Sequence, residues 1–330
     1  MNNPMDVMMS SEGPSPLTEV LRGISLSRSF YCESTLTAPW GLENPTCSLA
    51  LFHFVLQGGF WFAHEGMAPI YVGEGDLVLL PHGLAHRLCD TPDGPTIDAS
   101  SIPRTQLGEN ASRMTLGGAG RKSFLICGGV SFEPSWHPLV ETLPRSIIVS
   151  RQSSTSRPWL GHLFEPLKRE AGAARPGGET IITRLAEVLL LAVIRDWIET
   201  VESPSSGWLV AMRHREIGQC IAAIHAHPHH PWTVPALASK AGMSRSVFSE
   251  HFTKLCGVPP AQYVSLCRMN LAGDWLQQTR FSIAEVADKL GYSSEATFSR
   301  AFKRSWGISP GRFRRAPMPG RSLIAARAAG

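Results

Sequence analysis

The sequence has no apolar run long enough to cross a bilayer and no Cys-x-x-Cys pair. Its most apolar stretch, Leu185 to Ile194, contains Glu187 and is closed by Arg195 and Asp196. That is too short and too interrupted for a transmembrane helix, and no membrane association is expected. No charged segment followed by an apolar core opens the chain, so no secretory signal is read there. The 7 cysteines (Cys32, Cys47, Cys89, Cys127, Cys220, Cys256 and Cys267) are odd in number and widely spaced. Such spacing does not make a disulfide framework, and a reducing cytoplasm is the expected setting. A Ser-His-Asp arrangement, a phosphate-cradling Gly loop and paired carboxylates are also missing, which removes the commoner hydrolase and nucleotide-binding readings.

What is present is the composition of a packed protein, 43% hydrophobic and 18% charged over 330 residues, a length that suggests two or three domains. The net charge of +4 hides an asymmetry. From Arg213 to Ala316 there are 14 Lys/Arg against 6 Asp/Glu, whereas Met1 to Met212 carries 15 against 21. A basic C-terminal third on an acidic remainder points to a polyanionic partner, although a solvated basic face would give the same count.

Residues 1–16 read as a disordered leader. From 17 to 150, short β-forming runs such as "SLALFHFVLQGGFWF" and "APIYVGEGDLVLLP" are separated by Gly and Pro, the spacing of an all-β sandwich or barrel. Residues 151–207 turn helical and form a connector. Its second helix is apolar nearly all round from Ile181 to Ile198, so it is buried on several sides, within its own domain or against a second subunit. "ESPSSG", Glu202 to Gly207, reads as a linker. Residues 317–330 form a tail.

Between them, residues 208–316 carry one unit twice. "RSVFSEHFTKLCGVPP" and "EATFSRAFKRSWGISP" align through Phe248, Ser249, Phe252, Gly257 and Pro260 with Phe298, Ser299, Phe302, Gly307 and Pro310. Upstream, "TVPALASKAGMS" matches "SIAEVADKLGYS". Gly242 and Gly291 end the first helix of each unit. Ser244 caps the next helix in one, Ser293 or Ser294 in the other. Ser282 with Glu285 has the form of a capping box. Each unit is therefore a helix-turn-helix, 233–256 and 282–306. The phenylalanines at i,i+4 hold the second helix down while Arg300, Lys303 and Arg304, or Arg245 and Lys254, look outward. "PPAQYVSLCRMNLAGDWLQQ" between the units, taken as one helix, spans about 30 Å, close to the roughly 34 Å between successive major grooves. Gly273 is a flaw in that helix costing roughly 1 kcal/mol.

These features resemble the DNA-binding domain of AraC/XylS-type transcriptional regulators. Upstream, "APWGL", "FHFVLQG", "GEGDLVLLPHGLAHRL", "ICGG" and "HPLVETLP" resemble the cupin-type sensor domain of one branch of that family. The resemblance implies an α+β multidomain protein: an N-terminal cupin-like β-barrel, a helical connector and a C-terminal all-α domain. It implies that Ser246, Ser249 and Glu250 in one unit, and Ala296, Thr297 and Arg300 in the other, face bases. A guanidinium at Arg300 can bind O6 and N7 of guanine together. Arg245, Lys254, Lys303, Arg304, Arg312 and Arg314 are expected at phosphates. The implied partners are promoter or operator double-stranded DNA, RNA polymerase if the protein activates, an effector, and a second copy of the chain.

For the sensor, "GEGDLVLLPHGLAH" fits the second cupin motif through Gly75, Pro81, Gly83 and His86, whereas the first motif is not recognisable. His53 faces the same interior on strand alternation. His53 and His86 with a thiolate from Cys32 or Cys127 would suit a divalent metal such as Zn. The alternatives are a small organic effector and oxidation of Cys32 with Cys127 or Cys89, each thiol having buried structural cysteine as its plainer explanation. His82 is expected to face solvent. A metal-dependent enzyme of the cupin fold with a helical appendage is the competing function, disfavoured by the missing first motif.

Overall fold

The computed structural model describes Pro16, Thr18, Leu21 and residues 25–133, 137–150, 158–171, 175–201 and 207–315. The leader apart from Pro16, most of the linker and the tail lie outside the described residues. The chain divides into two compact units, 25–202 and 203–330 with 1–24.

Among the described residues of the first unit, twelve strands form two sheets. One runs in the order β12 (Ile147–Val149), β6 (Leu77–Leu80), β3 (Ala50–Gln57), β11 (Lys122–Glu133), β1 (Ser25–Thr37), β10 (Ala111–Gly117), β9 (Thr105–Gln106). The other runs β5 (Ile70–Gly73), β4 (Gly59–His64), β7 (His86–Cys89), β2 (Gly41–Asn44), β8 (Ile97–Asp98). Both are mixed, since β1 pairs parallel with β10 and β2 parallel with β8. Their inner faces share one core that includes Leu36, Val55, Phe60, Phe62, Leu88 and Leu125. The hydrogen-bond ladders of the described strands stay in two separate sheets, so the expected barrel takes the form of a sandwich. Two glycines of the second cupin motif are required by geometry. Gly75 has φ of 85°, and at Gly83, with φ of 57°, an added Cβ would stand 2.3 Å from the Leu49 carbonyl oxygen.

Helices pack onto the first sheet. After the short α1 (Pro138–Thr142), α2 (Pro158–Glu170) and α3 (Gly178–Thr200) lie against each other. Phe164 of α2 meets Phe54 edge-on at 5.8 Å, and Ser29 donates to Glu187 at 3.1 Å. On α3, Ile182, Ala186, Leu189, Leu190, Val193, Ile194 and Ile198 are buried. Ile181 and Val188 are exposed on its other side.

The second unit is helical among its described residues: α4 (Trp208–Arg213), α5 (Arg215–Ala226), α6 (Val234–Lys240), α7 (Arg245–Cys256), α8 (Pro260–Gln278), α9 (Ile283–Lys289), α10 (Glu295–Trp306) and α11 (Pro310–Arg315). Thr233, Ser244, Ser282 and Ser294 cap α6, α7, α9 and α10 by accepting from backbone N–H groups three residues on, and Glu285 completes the capping box of α9. Gly257 and Gly307 end α7 and α10 in the left-handed conformation. Gly273 in the middle of α8 has a packing reason. A Cβ there would meet the Trp306 ring at 3.2 Å and the Phe313 ring at 3.4 Å.

Candidate nucleic-acid interface and interior cavity

Phe248 and Phe252 on α7 and Phe298 and Phe302 on α10 are 0% exposed, each pair with ring centroids about 5.5 Å apart. Anchoring one stripe of a helix fixes which residues look away from it. On α7 these are Arg245, Ser246, Val247, Glu250 and Lys254, all exposed, with Ser249 half-buried at the edge. On α10 they are Ala296, Arg300, Lys303 and Arg304, all exposed, with Thr297 half-buried. The six expected base-facing residues thus lie on or beside the outward faces of two equivalent helices. Ser244 also meets the Ser246 hydroxyl at 3.3 Å. On α10, the Arg300 Nη2 donates to Thr297 Oγ1 at 3.3 Å, and Thr297 Oγ1 lies 2.9 Å from the capping Ser294 hydroxyl. The guanidinium is therefore pre-positioned from its own helix.

Of the expected phosphate contacts, Arg245, Lys254, Lys303, Arg304 and Arg312 are exposed. Arg314 is different. It is half-buried, and its guanidinium donates to the carbonyls of Leu276, at 3.3 Å, and Phe281. Those carbonyls flank the end of α8, so Arg314 ties α11 to the link between the units. Nothing in the repeat signalled this tie, because its acceptors are backbone atoms more than thirty residues away. α8 itself, 19 residues long, spans about 28 Å.

In the strand-rich unit the sheet register brings the other candidates together. Cys32 on β1 pairs with Cys127 on β11, and Cys127 pairs with His53 on β3. Residues paired across strands share a face, and these three side chains line a cavity of about 120 Å³ together with Leu42, Leu51 and Met114. Arg104 also borders it, its guanidinium donating to the Ala99 carbonyl at 3.2 Å.

His86 approaches from the opposite sheet, its Nε2 2.8 Å from His53 Nε2. The Leu84 carbonyl, 2.7 Å from His86 Nδ1, can only accept. Nδ1 therefore carries the His86 proton, and His86 Nε2 accepts from His53. That leaves His53 Nδ1 bare and without a hydrogen-bond partner among the described residues. Burial, then the neighbouring His86, holds His53 well below the usual imidazole range, and burial lowers His86 to about 4. Burial, with Cys32 beside it, pushes the Cys127 thiol up to about 12. At neutral pH the cavity thus presents the neutral imidazole of His53, with neutral His86 behind it, and a protonated Cys127.

A Zn centre does not fit this arrangement. Two nitrogens on one tetrahedral Zn stand about 3.3 Å apart, whereas the two Nε2 atoms are at hydrogen-bond distance and occupied with each other. Among the described residues no three His, Cys, Asp or Glu side chains stand together as a metal site. His53, His86, Cys32 and Cys127 do not stand as a ligand set in this arrangement. Cys89 lies apart from the cavity's lining, its thiol raised by burial. His82 is exposed as expected, and its Nε2 reaches the Leu143 carbonyl at 2.9 Å. A half-buried ion pair that the sequence does not announce lies nearby. Glu33 is 3% exposed and accepts from Arg113 Nε and Nη2 at 2.9 and 2.6 Å. The two are direct partners in the parallel β1–β10 register, a pairing that local sequence does not announce.

A two-unit chain, strand sandwich first and doubled helix-turn-helix second, is the build of a regulator that binds DNA. A cupin family model matches residues 15–199 and a helix-turn-helix domain model matches 237–316. The HTH-type transcriptional regulator AlkR of Acinetobacter baylyi (strain ATCC 33305 / BD413 / ADP1) is 33% identical over 304 residues, covering 90% of this chain and 98% of that protein. The RCS-specific HTH-type transcriptional activator RclR of Escherichia coli (strain K12) is 26% identical over 282 residues, 84% of this chain and 89% of that one. Among solved structures, the DNA-binding domain of AdpA in complex with a target DNA matches at 31% identity and a TM-score of 0.29, over 34% of this chain and 96% of that one. The chain belongs to the AraC-like family of HTH-type transcriptional regulators, with a cupin domain ahead of a DNA-binding helix-turn-helix domain. No helix of the described residues is long and apolar enough to cross a membrane.

Proposed function

We infer that the protein seats α7 and α10 in two successive major grooves of a promoter or operator and changes its DNA binding when a small organic molecule enters the cavity at His53. The observation that carries the reading is the repeat itself: two capped, phenylalanine-anchored helices with exposed outward faces, joined by a helix about 28 Å long. Base contacts come from Ser246, Ser249, Glu250, Ala296, Thr297 and Arg300. Arg245, Lys254, Lys303, Arg304 and Arg312 meet phosphate, and Arg314 supports the fold. Promoter binding makes the cytoplasm the working compartment and RNA polymerase a partner if transcription is activated. The exposed Ile181 and Val188 on α3 support pairing of two copies through that helix. The domain boundaries that go with this function are 17–150 for the sensor, 151–207 for the connector and 208–316 for DNA binding.

The neutral His53 imidazole and the protonated Cys127 offer a cation little compensation for its desolvation, so the ligand is an uncharged molecule or one whose anionic group meets Arg104 at the border. The volume is that of a cavity able to hold a benzene-sized molecule. A second reading is supported by the direct register pairing of Cys32 with Cys127: an oxidant joins the two thiols and the sheet transmits the change. The metal-dependent enzyme is disfavoured because His53 and His86 bind each other.

Footprinting of the full-length protein on duplexes enriched from a randomised library tests the DNA reading. Two protected segments about 10 base pairs apart on one face are expected, and a single protected segment would contradict paired-groove binding. Native mass spectrometry of the untagged protein tests the signal. A bound organic mass that disappears in His53→Ala supports the ligand. Loss of two protons only on oxidation, absent in Cys127→Ser, supports the thiol pair instead.

A further inference from the structure

The two recognition helices share one frame and differ where they face outward. An offset of fifty residues relates Ser244, Phe248, Phe252, Gly257 and Pro260 to Ser294, Phe298, Phe302, Gly307 and Pro310. Both serines cap, all four phenylalanines are fully buried, and both glycines close their helix in the left-handed conformation. Matching outward positions therefore meet matching parts of a duplex. At those positions Val247 stands in place of Thr297, and Glu250 in place of Arg300.

Val247 is 43% exposed, and among the described residues of this unit it is the only large apolar side chain left so. Burial does not account for a valine there, and helix propensity disfavours one. It lies in the first turn of α7, and the N-terminal residues of a recognition helix are those that reach base edges. The major-groove edge offers one apolar group, the C5-methyl of thymine. Glu250 lies one turn further along the same face, where neighbours at i,i+3 stand about 5–6 Å apart. A carboxylate only accepts hydrogen bonds. Cytosine presents its N4 amino group to such an acceptor, whereas adenine sets the N7 acceptor beside its amino group and guanine shows acceptors alone.

We propose that Val247 is a specificity-determining residue: it reads a thymine methyl, Glu250 reads a cytosine close to it, and α10 reads guanine through Arg300. The two groove segments bound by one chain then differ in sequence. Val247 and Thr297 have the same branched shape, and the missing hydroxyl is what separates them. Thr297 uses its hydroxyl to hold Arg300, while Val247 offers methyl groups alone. This inference rests on the DNA-bound reading given above.

The test uses full-length protein on duplexes enriched from a randomised library. Each enriched thymine is replaced by deoxyuridine, which removes only the C5-methyl. One such replacement in the half-site bound by α7 is expected to weaken wild-type binding about three- to fivefold, the effect of one buried methyl group. Val247→Ala abolishes that penalty, and Val247→Thr, which keeps one methyl, retains part of it. Tolerance of deoxyuridine at every thymine, or an equal penalty in Val247→Ala, overturns the assignment while leaving DNA binding intact. Failure to enrich any sequence overturns the DNA-bound reading and this assignment with it.

Discussion

The Nε2 atoms of His53 and His86 lie 2.8 Å apart, joining the two sheets of the first unit by a hydrogen bond between neutral rings. Burial keeps both rings unprotonated, with His86 lowered to about 4. Between that value and the ordinary 6.5 the unfolded chain binds a proton that the folded chain refuses, so the difference favours unfolding. Stability from this source is complete above pH 6.5, falls as the pH drops, and levels off for His86 near pH 4. At 1.36 kcal/mol per pKa unit the His86 contribution is roughly 3 kcal/mol. His53 adds to it in the same direction, and His225, lowered to about 3 by burial, does so in the other unit. Thermal unfolding at pH 7, 6 and 5 should show a falling midpoint, with a shallower fall in His86→Asn. Equal midpoints at pH 7 and 5 would contradict a buried neutral pair.

Gly273 answers to the rings above it. Gly273→Ala should be close to neutral, because the gain in helix propensity offsets a tight 3.2 Å contact with Trp306. Gly273→Val drives a branched side chain into Trp306 and Phe313 and should cost about 1–3 kcal/mol. Denaturant unfolding of the two variants checks the order, and a valine variant as stable as alanine would refute the packing argument.

Thr297 acts on DNA through Arg300. Thr297→Val removes the hydroxyl that receives the guanidinium at 3.3 Å and should weaken specific binding by less than about 1 kcal/mol. Non-specific binding and its salt slope should stay as they are. A change in salt slope would make Thr297 a phosphate contact instead.

Salt separates the surface bases from Arg314. Five phosphate contacts predict a slope of log K against log salt of about −4 to −5, and each of Lys254→Ala, Lys303→Ala and Arg304→Ala should reduce its magnitude by about 1. Arg314 spends its donors on the Leu276 and Phe281 carbonyls. Arg314→Ala should therefore lower stability and leave the slope unchanged. An altered slope with unaltered stability would return it to the phosphate contacts.

Much of the helical unit was legible because its information is local. The i,i+4 phenylalanines, the serine caps, the glycines after each helix and the Ser282–Glu285 box all act within one or two turns. Even the choice between Ser293 and Ser294 is settled by one hydrogen bond, from the Thr297 N–H to Ser294. Long-range facts were not legible. Gly273 looked like a defect until Trp306 and Phe313 appeared beside it. The parallel β1–β10 pairing that joins Glu33 to Arg113 leaves no mark in either strand alone. The cupin motif pointed to His86, but the contact that occupies it comes from a strand thirty-three residues away. Val247 escaped notice because an apolar residue in a helix reads as core until its exposure is known.

Competition binding shows whether the outward faces of α7 and α10 read DNA sequence. Full-length wild type and Arg300→Ala are each titrated with an enriched duplex and with a scrambled duplex of equal length and salt. Arg300→Ala is expected to lose roughly 1–3 kcal/mol on the enriched duplex, to relax preference at one base pair and to change little on the scrambled one. An unchanged ratio between the two duplexes would contradict it.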